Sequence, residues 1–280
     1  MLGVPKVDYL DEMPRVSADW LALRESADAA ARAADLVAVI QGRLAHPVIH
    51  DLGCGTGSMG RWLAPQLPGP QHWILYDRDP ELLERAAEAM SDTAADGAPV
   101  TVSTRSYDVA RLTADDLRGA GLVTASALFD LLTAEETESI VTACVDAGCP
   151  ALLTLSVSGR VELTPGDPLD ATVAAAFDAH QRRAVAGRRL LGPDATQSIV
   201  EAFARRGVRA VVRSSPWRLG GHNAELTLEW FHGWLAAAGE QCPELAGPLA
   251  AYADRRRAEL ADGRLRVVVG HDDILAGVAA

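Results

Sequence analysis

The stretch Val48-Ile49-His50-Asp51-Leu52-Gly53-Cys54-Gly55-Thr56-Gly57 limits the fold more than any other part of the chain. Its first five residues are a β-prone run, and the next five place glycine at alternate positions. Beyond them, Met59, Trp62, Leu63 and Leu67 recur at helical spacing. A strand that turns tightly into a helix is the opening unit of an α/β sheet. Glycines at 53, 55 and 57 let the backbone turn sharply and approach a ligand closely. The free N–H groups of the following helix favour an anionic group at the same place. A nucleotide-like cofactor is therefore expected at this loop.

Further strands follow at α/β intervals. His72 to Tyr76 reads as the second, ending in Asp77-Arg78-Asp79-Pro80. A carboxylate at a strand's C-terminal end can accept two hydrogen bonds from a ribose diol, and Asp77 is placed to do so. Asp79 followed by Pro80 reads instead as a helix N-cap with proline at N1. Pro99 to Thr104, Leu122 to Ser126 and Ala151 to Val157 read as strands three to five. Val208 to Arg213 and Arg264 to Gly270 complete seven. A helix is expected from Ser17 through Ile40, another around Ala171 to Val185, and three more at 194–206, 225–239 and 244–260. The organisation expected is an N-terminal helical cap over 1–45, a core over 46–158, a helical lid over 159–192, and the rest of the core over 193–280 with a helical insert at about 219–263.

The pattern Asp51-x-Gly53-x-Gly55-x-Gly57, at the end of a first strand and followed by an acidic end to the second, resembles the cofactor signature of class I S-adenosylmethionine (SAM) dependent methyltransferases. The resemblance covers Val48 to Val157 and is topological beyond it. It implies an α/β fold with a doubly wound, seven-stranded Rossmann-like sheet and helical cap additions, and SAM as cofactor. Cofactor contacts are then expected from Asp51, Gly53, Cys54, Gly55, Gly57, Asp77 and Arg78. Asp108 would accept the adenine amino group, Val109 would pack on the ring, and Ser126 and Ala127 would lie beside the sulfonium. Arg24 would meet the methionyl carboxylate or the substrate; pairing with Asp28 at i, i+4 is its structural alternative. Two other readings stand beside this one. Gly55-x-Gly57-x-x-Gly60 with Asp77 also fits the fingerprint of an NAD(P)-dependent oxidoreductase. A catalytically inactive SAM-fold binding protein is the third.

Composition narrows the acceptor. The formal net charge of −12 argues against nucleic acid, whose binding relies on lysine and arginine neutralising phosphates. No run reaches the roughly 18 apolar residues of a membrane helix, and Met1 to Asp11 carries charges where a signal peptide would be apolar, so a cytoplasmic protein is expected. Cys54, Cys144, Cys149 and Cys242 lack paired CxxC spacing, and no metal is assigned despite Asp272 and Asp273 beside His271. The oligomeric state is open, a homodimer included. The expected activity is methyl transfer to an oxygen or nitrogen of a small organic molecule. A general base is needed where the nucleophile arrives protonated, and His180 and Asp130 are the candidates, with His271 and His222 behind them. Trp20, Phe129, Trp217 and His271 are the candidate substrate contacts. Trp217, Trp230, Phe231 and Trp234 serve either a substrate cavity or the core.

Overall fold

The computed structural model describes residues 16–42, 44 and 47–278. The irregular start expected for Met1 to Val16 lies, Val16 apart, outside the described residues. Ser17 accepts a hydrogen bond from the Trp20 N–H at 3.1 Å and so caps helix α1 (Ala18–Ala31). The single helix expected through Ile40 is broken, and α2 (Ala34–Ile40) starts afresh. The cause is tertiary. The Ala33 N–H donates to Asp273 Oδ2 at 2.7 Å, and the Arg32 side chain turns inward to Ser58 and Ser126.

Strand β1 (Val48–Leu52) then leads through the glycine loop into α3 (Ser58–Leu63), followed by β2 (Gln71–Asp77), α4 (Pro80–Ala89), β3 (Val100–Ser106) and β4 (Leu122–Ser126). Helix α5 (Ala134–Asp146) begins at a complete capping box, Thr133 with Glu136. Strand β5 (Ala151–Thr164) is twice the expected length, running on beyond Val157. Helix α6 (Asp170–Gln181) ends earlier than its pattern indicated. A two-residue hairpin follows it, β6 (Ala184–Val185) and β7 (Arg188–Arg189), turning through Ala186 and Gly187 at φ +49° and +78°. Helix α7 (Ala195–Arg205) and strand β8 (Ala210–Ser214) lie near their expected places, whereas β9 (Trp217–Gly220) is an additional strand. Helices α8 (Ala224–Gln241) and α9 (Ala246–Ala261) precede β10 (Arg266–Ala276), which runs six residues past Gly270.

The sheet order is β3-β2-β1-β4-β5-β10-β8, with β9 pairing β10 off this path. The first five are parallel, and β10 is antiparallel to both β5 and β8. A reversed strand in that position distinguishes this sheet from the dinucleotide fold, whose classic order 3-2-1-4-5-6 is mostly parallel. Gly60, the last glycine of the competing fingerprint, lies inside α3, where an added Cβ would stand 2.4 Å from Met90 Sδ. Its role is close packing of helix on sheet.

Because β5 and β10 outrun their parallel neighbours, they form a ribbon projecting past the C-terminal edge of the sheet. Residues 161–164 of β5 pair with 266–269 of β10, and the latter pair with β9. Two apolar clusters lie on the sheet's faces, one holding Leu52, Val123 and Phe129, the other Ile49, Leu63 and Trp73. A third, with Trp217, Phe231, Trp234 and Tyr252, lies between the ribbon and helices α6, α8 and α9. Residues of the expected lid and of the C-terminal insert therefore share one cap core, built on strands β5 and β10 that are continuous with the main sheet.

Candidate active site

A cavity of about 770 Å³ opens where the parallel strands end, between the sheet and this cap. Open α/β sheets bind ligands at that edge, because chain reversal there leaves a crevice floored by loop backbone.

The sheet side is built from the ends of β1 to β3. Gly55 has φ +54°, and its N–H donates to Asp77 Oδ2 at 2.9 Å. Asp77 Oδ1 accepts from the Asp79 N–H at 3.0 Å. Each carboxylate oxygen thus fixes one loop and keeps capacity for another donor. Gly57 does not line the cavity; it stands at φ +84° as the N-cap of α3, where a Cβ would lie 3.3 Å from Ala86 Cα. Asp108 caps its own turn, accepting from the Ala110 N–H at 3.2 Å, and it pairs with Arg111. Asp51 is fully buried. Its Oδ1 accepts from Thr124 Oγ1 at 2.8 Å, while Oδ2 has no partner. Desolvation pushes this carboxyl up to about 7, against the Thr124 hydrogen bond and the positive charge of Arg32. An orphaned acid at a cavity wall calls for a donor or cation from a ligand.

Arg32 was not singled out by the sequence. It is 4 % exposed, its Nη2 donates to Ser58 Oγ at 3.2 Å and Ser126 Oγ at 3.1 Å, and its guanidinium lies 5.2 Å from the Trp62 ring centroid. Burial lowers its pKa, opposed by Asp28 and Asp51. It fastens the end of α1 to the loops after β1 and β4.

The cap side has a different chemistry. Asp28 accepts both Nε and Nη2 of Arg24 at 3.0 to 3.2 Å, and the Trp217 Nε1–H at 3.0 Å. The structural alternative for Arg24 is thus its observed contact, with the guanidinium 4.9 Å from the Trp217 ring centroid and still at the cavity wall. Trp20 meets Trp217 edge-on, and His271 stacks obliquely on it at 5.1 Å. His271 is 4 % exposed, and burial together with the Arg24 charge holds its imidazole down near 3, hence neutral. Asp130 reaches the cavity just beyond β4. Its Oδ1 is shut off from solvent with no partner, and desolvation pushes the carboxyl up to about 6, against its own backbone hydrogen bond and the pull of Arg24.

Of the residues expected at the site, Asp51, Gly53, Cys54, Gly55, Asp77, Arg78, Asp108, Val109, Ser126, Ala127, Arg24, Asp130, Trp20, Trp217 and His271 line this one cavity. Three stand elsewhere. Phe129 is 1 % exposed within a core cluster, because the turn after β4 points it under the sheet. His180 lies on the far side of α6, its Nε2 3.2 Å from Glu240 on α8. Gly57 holds the helix start. His222 is exposed and also outside the cavity. Asp272 and Asp273 lie within β10 instead of past the last strand. Asp273, 1 % exposed, accepts from the Ala33 N–H, the Leu155 N–H at 2.8 Å and Ser215 Oγ at 2.6 Å. Leu155 takes φ +57° in doing so, and it lines the cavity with Leu128, Phe177, Trp230 and Arg183. Of these, only Trp230 was singled out in the sequence, where cavity and core were both open to it.

Residues 49–149 match the family model described as a methyltransferase domain. That stretch of the chain is a methyltransferase domain. The match covers the sheet side of the cavity and stops short of the cap. Across 98 % of this chain and 100 % of the other, the chain resembles the cyclopropane synthase MmaA2 from Mycobacterium tuberculosis, with TM-score 0.53 and 12 % identity. It also aligns with a SAM-dependent methyltransferase from Thiobacillus denitrificans in complex with S-adenosyl-L-homocysteine (TM-score 0.43, 16 % identity, 94 % and 99 % of the two chains). Magnesium protoporphyrin IX methyltransferase from Synechocystis PCC 6803 aligns over 73 % of this chain and 83 % of that one (TM-score 0.43, 16 % identity). At such identities the likeness is one of fold. Comparison with curated protein sequences finds no match.

Proposed function

We propose that this methyltransferase binds SAM on the sheet side of the cavity and transfers its methyl group to an oxygen or nitrogen of a small organic molecule held under the cap. The observation that carries the reading is Asp130, a desolvated carboxyl with an unpartnered Oδ1 in the cavity that also contains the glycine loop.

The residues present fit the cofactor. Asp51 Oδ2 is an orphaned anionic acceptor for a cationic ligand group, and Asp77 retains acceptor capacity for a diol. When bound, SAM supplies an electrophilic methyl group whose transfer leaves a neutral thioether. The remaining work is alignment and exclusion of water, which Trp20, Trp217 and Trp230 perform by walling the acceptor in. As the acceptor's heteroatom forms its bond to carbon, its proton passes to Asp130 Oδ1. A carboxyl held near 6 is ionised at neutral pH yet basic enough to take that proton. His271, neutral and buried, orients the acceptor by hydrogen bonding.

The net charge of −12 supports a small acceptor over nucleic acid. Among the described residues no helix is long and apolar enough to cross a membrane. Thermal melting with SAM, S-adenosylhomocysteine and NADPH tests the reading. A ligand at about 100 times its Kd adds about 2.7 kcal/mol of stability, so the first two should raise Tm and the third should not. A rise with NADPH alone would sink it.

A further inference from the structure

Two arginines line the cap side of the cavity, and they differ in one respect. The fork of Arg24, its Nε and Nη2 edge, is filled from within by Asp28. Arg183, just past the end of α6, makes no ion pair among the described residues. Its hydrogen bonds there come from Nη1, to the His180 carbonyl at 3.0 Å and His180 Nδ1 at 3.2 Å. They fix the guanidinium by one arm, and among the described residues no hydrogen bond occupies its Nε and Nη2 edge at the cavity wall. That edge is the one that grips a carboxylate through two parallel hydrogen bonds. Phe177, Leu190, Trp217 and Trp230 supply apolar and ring-sized wall to the same cavity.

We propose that the methyl acceptor is a small carboxylic acid with an aromatic or similarly flat apolar body, and that Arg183 binds its carboxylate. This rests on the methyltransferase reading above. The charges of the cavity set the orientation. Asp77, Asp79 and Asp108 outnumber Arg78 and Arg111 on the sheet side, so an anionic group is disfavoured there and drawn to Arg183. The carboxylate is then a handle, and another heteroatom of the acceptor faces Asp130 and the methyl group. A chain of net charge −12 is no obstacle, because one carboxylate needs one fork, whereas a polyanion needs many cations. His180 acquires a role as well. It is a positioning residue that holds Arg183, not a proton acceptor.

The test compares benzoate with benzamide, which share a shape and differ in charge. Each is titrated by calorimetry into wild type, Arg183→Gln and Arg183→Lys, with and without saturating S-adenosylhomocysteine. Wild type should prefer benzoate about ten-fold or more, the scale of hydrogen bonds to a charged group. Arg183→Gln should lose the preference, and Arg183→Lys, with charge but no fork, should retain part of it. All three should bind S-adenosylhomocysteine equally and melt together. Equal binding of the two probes by wild type, no benzoate binding, or a preference unchanged in Arg183→Gln would overturn the proposal. So would a loss of S-adenosylhomocysteine affinity confined to the Arg183 variants, which would place Arg183 on the cofactor. If wild type itself fails to bind S-adenosylhomocysteine, the methyltransferase reading falls, while benzoate preference without it still reports on Arg183.

Discussion

The two sides of the cavity are made in different ways. On the sheet side, partners are close in sequence: Asp77 holds Gly55, 22 residues back, and Asp79, two residues on, while Asp108 caps its own turn. On the cap side local pairs, Arg24 with Asp28 and Arg183 with His180, are joined by distant ones. Trp217 reaches Asp28 across 189 residues, and Asp273 holds Ala33 across 240. A site made of strand, loop and helix starts repeats local chemistry that many chains share. A site made by remote contacts is particular to one chain, and substrate choice resides there.

The largest effect expected belongs to Asp130. Asp130→Asn should lower kcat by about 10² to 10⁴, the range of general-base catalysis, with SAM affinity unchanged. Because the carboxyl is held near 6 and acts when deprotonated, wild-type rate should climb as pH rises through about 6, and the climb should be absent from the variant. Equal loss of rate and SAM affinity would move Asp130 to the cofactor side. Next comes Asp273→Ala, which orphans two buried N–H groups and the Ser215 hydroxyl. Urea unfolding should register about 3 kcal/mol of lost stability. A loss under about 1 kcal/mol would mean that the remote contacts do not hold the cap side together. Asp77→Ala should weaken SAM binding by about 1 to 3 kcal/mol, measured by calorimetry, and should also lower the Tm of the protein alone, because the Gly55 and Asp79 N–H groups lose their acceptor. The smallest effect is expected from His180→Ala, whose kcat should stay within a few-fold of wild type. A collapse of kcat there would restore the histidine as proton acceptor.

The same contrast decides what could be read from the sequence. Asp51 through Gly55 and Asp77 were legible because glycine spacing and a carboxylate at a strand end are local signals, whereas Asp108 came from the family resemblance and Gly57 holds the start of α3 instead. The long β5 and β10 were not, since their extension depends on pairing with each other, and β9 depends on β10. His180 seemed to face the pocket because its helix belongs to the cap. Spacing alone could not say which face α8 would cover, and Glu240 takes that side. Phe129 was misplaced by one turn, whereas its neighbour Asp130 was not. Arg32 and Leu155 offer no signal at all: one is an arginine whose burial needs Ser58 and Ser126, the other a leucine whose φ is set by Asp273.

The ribbon of β5 and β10 bears on how the molecule comes apart. Ala151 to Val157 belongs to the sheet that floors the cavity and Val161 to Thr164 to the cap, with no linker between them. Between these two segments the ladder breaks only from Val157 to Val161, where Gly159 takes φ +72° opposite Gly270, so any bending of the cap against the sheet is confined to that bulge. Without a linker, the cap is not a separate unit of cooperativity. Calorimetry should show one heat-absorption peak for the whole chain, and ligands on either side of the cavity should shift it as a single transition.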